Sequence, residues 1–155
     1  MIEEGKKAPP FALPNADGKE ISLKDFPGVP VVLYFYPKDN TPGCTQEACD
    51  FRDNFTRIGA AGAVVLGVSD DSASSHRKFM DKFNLPFELL SDADKSTISA
   101  YGAWKEKSMY GKTFLGIERR TVIIGPDGRI FRIFPKVKVK GHVDEVLAAL
   151  RELKG

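Results

Sequence analysis

Cysteine, histidine and tryptophan are scarce in this chain, with two, two and one among 155 residues. Two cysteines cannot form the disulfide framework of a small secreted domain, and an apolar content of 42% is enough for a core without staples. No apolar run approaches the roughly 20 residues that a membrane-spanning helix needs. The opening MIEEGKKAPPF carries acids and bases where a secretory signal needs an apolar stretch. The expectation is a soluble protein of a reducing, cytoplasmic compartment, where any disulfide is transient. A formal net charge of +2 favours neither nucleic acid nor a membrane as partner. C-x4-C without a second ligand pair cannot supply four zinc ligands, and no metal or cofactor is expected. No segment is repeated or of low complexity.

What is present is organised around residues 31–58, VVLYFYPKDNTPGCTQEACDFRDNFTRI. Residues 31–36 are continuously apolar, β-branched and aromatic, and too few for a helix of their own, which predicts a central strand buried on both faces. Pro37 ends it. Thr41 and Pro42 then read as an N-cap followed by the imino acid favoured at the first helical position, so Cys44 is the third residue of a helix. Cys44, Ala48, Phe51, Phe55 and Ile58 recur at alternating steps of four and three, one apolar stripe facing the core. Cys49 falls off that stripe, on a polar face with Thr45, Arg52, Asp53 and Thr56.

Elsewhere, residues 11–23 hold two short apolar segments around Asn15-Ala16-Asp17-Gly18 and read as an N-terminal hairpin. Residues 63–68 predict a second buried strand, 74–83 a helix with Phe79 and Phe83 one turn apart, and 87–90 a third strand before a Ser91-Asp92 cap and a helix toward Tyr101. Residues 105–116 are polar and glycine-bearing, and read as the longest loop and a rim for a site. Trp104 and Tyr110 either line that rim or close the core. Residues 119–124 and 129–134 flank Gly125-Pro126-Asp127-Gly128 as a hairpin, and 143–153 form an amphipathic last helix. The alternating lysines of 136–140 read as a guarded sheet edge. This order implies an α/β sandwich with a central mixed sheet flanked by helices, of which the thioredoxin-like fold is the simplest member, as a single domain over residues 1–155.

A thiol in the first turn of a helix faces the positive end of the backbone dipole and unpaired amides, both favouring thiolate. The alternative is a small buried hydrophobe, but the Thr-Pro-Gly approach and the nearby Cys49 favour chemistry. His76 and His142 fall in separate helical regions and read as surface or capping residues. Residues five apart in a helix have Cα atoms about 8 to 9 Å from each other, whereas a disulfide needs about 7 Å or less. A Cys44–Cys49 bond therefore requires this helix to unwind, and Gly43 at its mouth eases that or admits a substrate to the backbone. A more acidic thiol is also a weaker nucleophile, with a Brønsted slope of about 0.4 to 0.5 in disulfide exchange. Acidity alone then gains little. A fast enzyme built on Cys44 needs donors aimed at the leaving atom, and cationic donors are the strongest.

Pro37-x-x-x-Thr41-x-x-Cys44 resembles the signature of a peroxiredoxin, and Cys49 makes it similar to the bacterioferritin-comigratory, or peroxiredoxin Q, subfamily. The resemblance extends through GVSDDSASSHRKF, LPFELLSD, AYGAWKEKSMYGKTFLGIERRT, GPDGRI and KVKVKGHVDEVL. It implies a thioredoxin fold and a thiol-dependent peroxidase acting on hydrogen peroxide and organic hydroperoxides. Cys44 would be the peroxidatic thiolate, oxidised to a sulfenic acid. Cys49 would resolve it as an intramolecular disulfide, reduced by thioredoxin or a glutaredoxin-like donor. Thr41 would hydrogen-bond the peroxide, Pro37 would shield the sulfur, Arg119 would supply the cation and Glu47 would orient it. A monomer is implied. Arg120 stands where the family has a small hydroxyl residue, Asp70 where proline is frequent, and Gly125 where aspartate is common. Strand alternation sends Arg119 and Arg120 to opposite faces, and spacing from Gly116-Ile117 selects Arg119.

Two other classes stay open at the level of sequence. One is a protein dithiol-disulfide oxidoreductase, although C-x-x-C is the usual spacing there. The other is a non-catalytic thioredoxin-like binding domain with inert cysteines.

Overall fold

The computed structural model describes residues 2–154, so of the span expected as one domain residues 1 and 155 lie outside the described part. The chain opens with a hairpin, β1 (Ala12–Pro14) against β2 (Glu20–Ser22), whose turn is closed by the Asn15 side chain accepting the amides of Asp17 and Lys19 at 2.9 Å. A single 3-10 turn at Leu23–Asp25 leads toward β3 (Val31–Phe35), all five residues of which are buried. Each fully buried side chain of this size contributes about 1.5–3 kcal/mol. α1 (Pro42–Asp53) and the short α2 (Phe55–Ala60) follow, then β4 (Val64–Ser69), α3 (Ala73–Phe83), β5 (Glu88–Ser91) and the five-residue α4 (Ser96–Ala100). The second half comprises β6 (Trp104–Met109), β7 (Lys112–Ile117), β8 (Arg120–Ile124), β9 (Ile130–Phe134) and α5 (His142–Lys154).

Among the described residues the central sheet has the order β5-β4-β3-β8-β9, with β3 parallel to β4 and antiparallel to β8. β3 is thus the middle strand. Its alternate side chains divide the core: Val32, Tyr34 and Tyr36 pack beneath α1, α3 and α5, while Val31, Leu33 and Phe35 face the N-terminal hairpin, α4 and Ile117. Gly67 lies opposite Tyr34 in the register. A Cβ there would meet Leu89 Cδ2 at 2.7 Å and Tyr34 Cζ at 2.9 Å, so the glycine makes room for the tyrosine ring.

Several sequence expectations are corrected. Residues 105–116 are not a loop but most of the β6–β7 ribbon, joined by Tyr110 and Gly111 with φ of 53° and 75°, as a tight two-residue turn requires. Most of the ribbon is exposed on both faces, so no apolar alternation marks it as strand. Tyr110 projects from its tip almost fully exposed, while Trp104 packs against the core face of β3. The apolar stripe breaks at Asn54, whose backbone leaves the helix and whose Nδ2 donates to the Asp50 carbonyl at 2.9 Å; Phe55 is turned outward, 37% exposed. Residues 136–140 are a turn beyond the end of β9 rather than a sheet edge, held by the Val137 amide donating to the Arg119 carbonyl at 2.8 Å. His76 and His142 are both buried, because each has polar partners: Asp39 and the Leu90 carbonyl in the interior for His76, and buried Thr121 with the exposed Glu145 for His142. No helix of the described residues is long and apolar enough to cross a membrane.

Candidate active site

α1 begins as its sequence dictates. Thr41 is the extended N-cap and Pro42 the first helical residue, which needs no amide partner. Thr41 does not cap with its side chain; its hydroxyl donates to the Lys38 carbonyl at 2.8 Å, and its own carbonyl receives the Thr45 amide at 2.8 Å. Cys44 is therefore in the first turn, where backbone amides have no carbonyl one turn earlier. Its side chain lies on the buried stripe, and the residue is 2% exposed.

Arg119 comes to this helix mouth from the residue before β8. Its Nη2 donates to Cys44 Sγ at 3.5 Å and its Nη1 to Glu47 Oε1 at 2.8 Å. One planar guanidinium thus spans the thiol and a carboxylate one helical turn further on, with two N–H donors held in a fixed fork that a lysine ammonium does not reproduce. Burial works against the Arg119 charge, but Glu47 and Cys44 beside it outweigh that and leave its pKa above the ordinary arginine value. Burial pushes the Glu47 carboxyl up to about 7, against the pull of Arg119. The cause is visible in its partners: Oε1 has Arg119, whereas Oε2 is enclosed with no hydrogen bond among the described residues.

Gly43 has a specific neighbour. A Cβ at this position would lie 3.1 Å from Arg119 Nη2, so the residue lets the guanidinium come down onto the first turn. Arg120 goes to the other side, as strand alternation requires, where it binds Glu118 Oε2 at 2.9 Å and approaches the Tyr101 carbonyl at 3.5 Å. Pro37, half-buried, stands where β3 gives way to the loop before α1. Cys49 is half-buried on the same unbroken helix, and both cysteines are free thiols. The structure brings together Cys44, Arg119, Glu47 and Gly43, with Thr41 and Pro37 on the adjoining loop; Cys49 is held apart by the helix.

Two features were not legible in the sequence. Lys107 on β6 is held below the ordinary lysine range by burial and by repulsion from Arg119, with Cys44 and Glu118 pulling the other way. Tyr34 is fully buried, and burial together with the nearby charges of Glu47 and Cys44 keeps its phenol protonated. Neither carried a signal, since a lysine in a polar stretch and a tyrosine in a strand are ordinary residues.

Residues 4–133 match the model of the AhpC/TSA family. The chain is 48% identical over 152 residues to Peroxiredoxin Bcp of Bacillus subtilis, covering 98% of this chain and 97% of that one. Among solved structures it is similar to PrxQ of Xylella fastidiosa, determined as a cysteine-to-serine mutant, with a TM-score of 0.94 at 38% identity over 100% of this chain and 99% of the other. It is also similar to the bacterioferritin comigratory protein of Xanthomonas campestris, studied for alkyl peroxide reduction in trapped-intermediate and ligand complexes, with a TM-score of 0.90 at 42% identity over 97% and 98%.

Proposed function

Since the chain belongs to the AhpC/TSA family as a thiol-dependent peroxidase of the Bcp, or peroxiredoxin Q, kind, we propose that Cys44 is its peroxidatic residue and Cys49 its resolving one. The Cys44 thiolate attacks the terminal oxygen of a hydroperoxide, the O–O bond breaks, and the departing alkoxide or hydroxide takes up a proton. Cys44 is left as a sulfenic acid. Cys49 then attacks that sulfur, water leaves, and an intramolecular disulfide forms. Thioredoxin or a similar dithiol donor returns both thiols and is itself oxidised.

The observation that carries this reading is the 3.5 Å contact of Arg119 Nη2 with Cys44 Sγ, with Nη1 of the same group on Glu47. A cation held there stabilises the thiolate and meets the negative charge that develops on the leaving oxygen, in a site with little competing water. The Thr41 hydrogen is given to the Lys38 carbonyl, which leaves its oxygen lone pairs to accept from a hydroperoxide O–H. Pro37 offers no amide and screens the sulfur. The unbroken α1 through both cysteines supports a resolving step that melts the first turns of the helix, and it disfavours a C-x-x-C-type reductase, whose sulfurs must bond in place. Residues 1–155 act as one domain, monomeric and cytoplasmic, on hydrogen peroxide and organic hydroperoxides.

Peroxide consumption by cysteine variants tests it. Cys44→Ser should abolish turnover. Cys49→Ser should permit a single turnover and leave a trappable sulfenic acid that over-oxidises readily. Peroxide consumption undiminished in Cys44→Ser would overturn the assignment.

A further inference from the structure

Residues 37–41 join β3 to the mouth of α1 and are tied to the interior by a buried polar network. Asn40 is in the left-handed region, with φ of 60°, a turn conformation that asparagine adopts more readily than other residues with a side chain. The network lies beneath the loop. Asp39, 7% exposed, accepts on Oδ1 from the Tyr36 hydroxyl at 2.5 Å and on Oδ2 from the Ser75 hydroxyl at 2.8 Å. His76 Nδ1 is 2.7 Å from that same Oδ2, so a proton lies between them. The Asp39 amide donates to Asp71 Oδ2 at 2.8 Å, which also receives the Ser69 hydroxyl at 2.8 Å. His76 is wholly buried, and its Nε2 is 3.1 Å from the Leu90 carbonyl, an atom that can only accept. The imidazole is therefore pinned between β5 and the loop. On the outer side, Lys82 Nζ donates to Asn40 Oδ1 at 3.3 Å.

Nothing in the chemistry assigned to Cys44 uses this network, yet it sits inside the segment that presents Thr41. The Thr41 hydroxyl donates to the carbonyl of Lys38, and Asp39 and Asn40 are the two residues that this bond encloses. Where Asp39 is held thus sets the direction of the free lone pairs on Thr41.

We propose that the Asp39–His76 pair is a positioning device for the peroxide-binding loop, fixing residues 38–41 so that the Thr41 oxygen meets an incoming hydroperoxide beside Cys44. Neither residue touches the peroxide; both act through Thr41. The inference rests on the peroxidase reading above.

The test separates attack on peroxide from access to the thiol. In the full chain, the second-order constants of Cys44 with hydrogen peroxide and with iodoacetamide are compared for Asp39→Asn, Ser75→Ala and His76→Ala. Asp39→Asn and His76→Ala should lower the peroxide constant about 10- to 100-fold and Ser75→Ala about threefold, as expected when a positioning group shifts by a fraction of an ångström to an ångström. Alkylation should stay within about twofold in each, because Arg119, Glu47 and the helix amides are untouched. A merely structural role would move both constants together. His76→Ala removes the imidazole from Asp39 Oδ2 and leaves Tyr36 and Ser75 as its side-chain donors; should it not fold, the isosteric Asp39→Asn and the milder Ser75→Ala decide. A folded Asp39→Asn chain with an unchanged peroxide constant, or with alkylation falling in step, overturns the proposal. A natural chain that consumes no peroxide overturns the peroxidase reading itself and this inference with it.

Discussion

Arg119 Nη2 lies 3.5 Å from Cys44 Sγ, although 75 positions separate them in the chain. Everything in the proposed site turns on that approach, because it couples a helix-mouth thiol to a cation that is itself fixed by Glu47. Four expectations follow from its geometry.

Removing the guanidinium should slow the first chemical step. Arg119→Met is expected to lower the second-order constant for Cys44 oxidation about 10²- to 10³-fold, the usual cost of losing one preorganised donor. Arg119→Lys should fall between, since an ammonium keeps the charge but lacks the rigid fork that aims separate donors at Sγ and Oε1. Stopped-flow fluorescence of Trp104, or competition with a reference peroxidase, measures both. Equal rates in Arg119→Met and the natural chain would remove Arg119 from the mechanism.

Glu47 should leave a mark on stability against pH. Its carboxyl is raised from 4.5 to about 7 in the folded chain, chiefly by burial. The folded state therefore prefers the protonated form: the contribution is complete below the unfolded value and is lost as pH rises through about 7. Glu47→Gln does not titrate. The difference in thermal midpoint, variant minus natural chain, should accordingly become more positive between acid and alkaline pH. A difference independent of pH would contradict the raised value.

Oxidation by one equivalent of peroxide should cost helix. Joining Cys44 to Cys49 must unwind the helix from one cysteine to the other, about six residues with both included, so the far-UV circular dichroism at 222 nm should weaken and recover on adding a dithiol. Cys49→Ser should show no such change. An oxidised natural chain with an unaltered spectrum would point to a bond between molecules.

Gly43→Ala should separate helix stability from catalysis. Alanine favours the helix by up to about 1 kcal/mol, so the thermal midpoint should hold or rise. Its methyl would nonetheless come within 3.1 Å of Arg119 Nη2 and push the guanidinium from the sulfur. Peroxide reactivity should fall several-fold while the protein grows no less stable. A parallel loss of both would show that the glycine serves the fold instead.

The parts of the site that were legible in the sequence are those set by neighbours along the chain. Thr41 and Pro42 mark a helix start, and Cys44 as third helical residue follows by counting. The burial of Cys44, Ala48, Phe51 and Ile58 follows from their spacing. The stripe failed at Phe55, where the periodicity continues but Asn54 takes the chain out of the helix.

The sequence by itself determined the strand, the helix mouth and the thiol within it, because hydrophobic period, capping and proline placement act over a few residues. It also identified Arg119 over Arg120 through resemblance and alternation, but how the cation reaches the sulfur is a matter of register, set when β8 pairs antiparallel with β3. Tertiary structure alone decided that His76 and Asp39 meet beneath the loop and that residues 105–116 pair as a ribbon. Those contacts join residues far apart in the chain, or expose both faces of a strand, and neither circumstance leaves a periodic trace in the order of the amino acids.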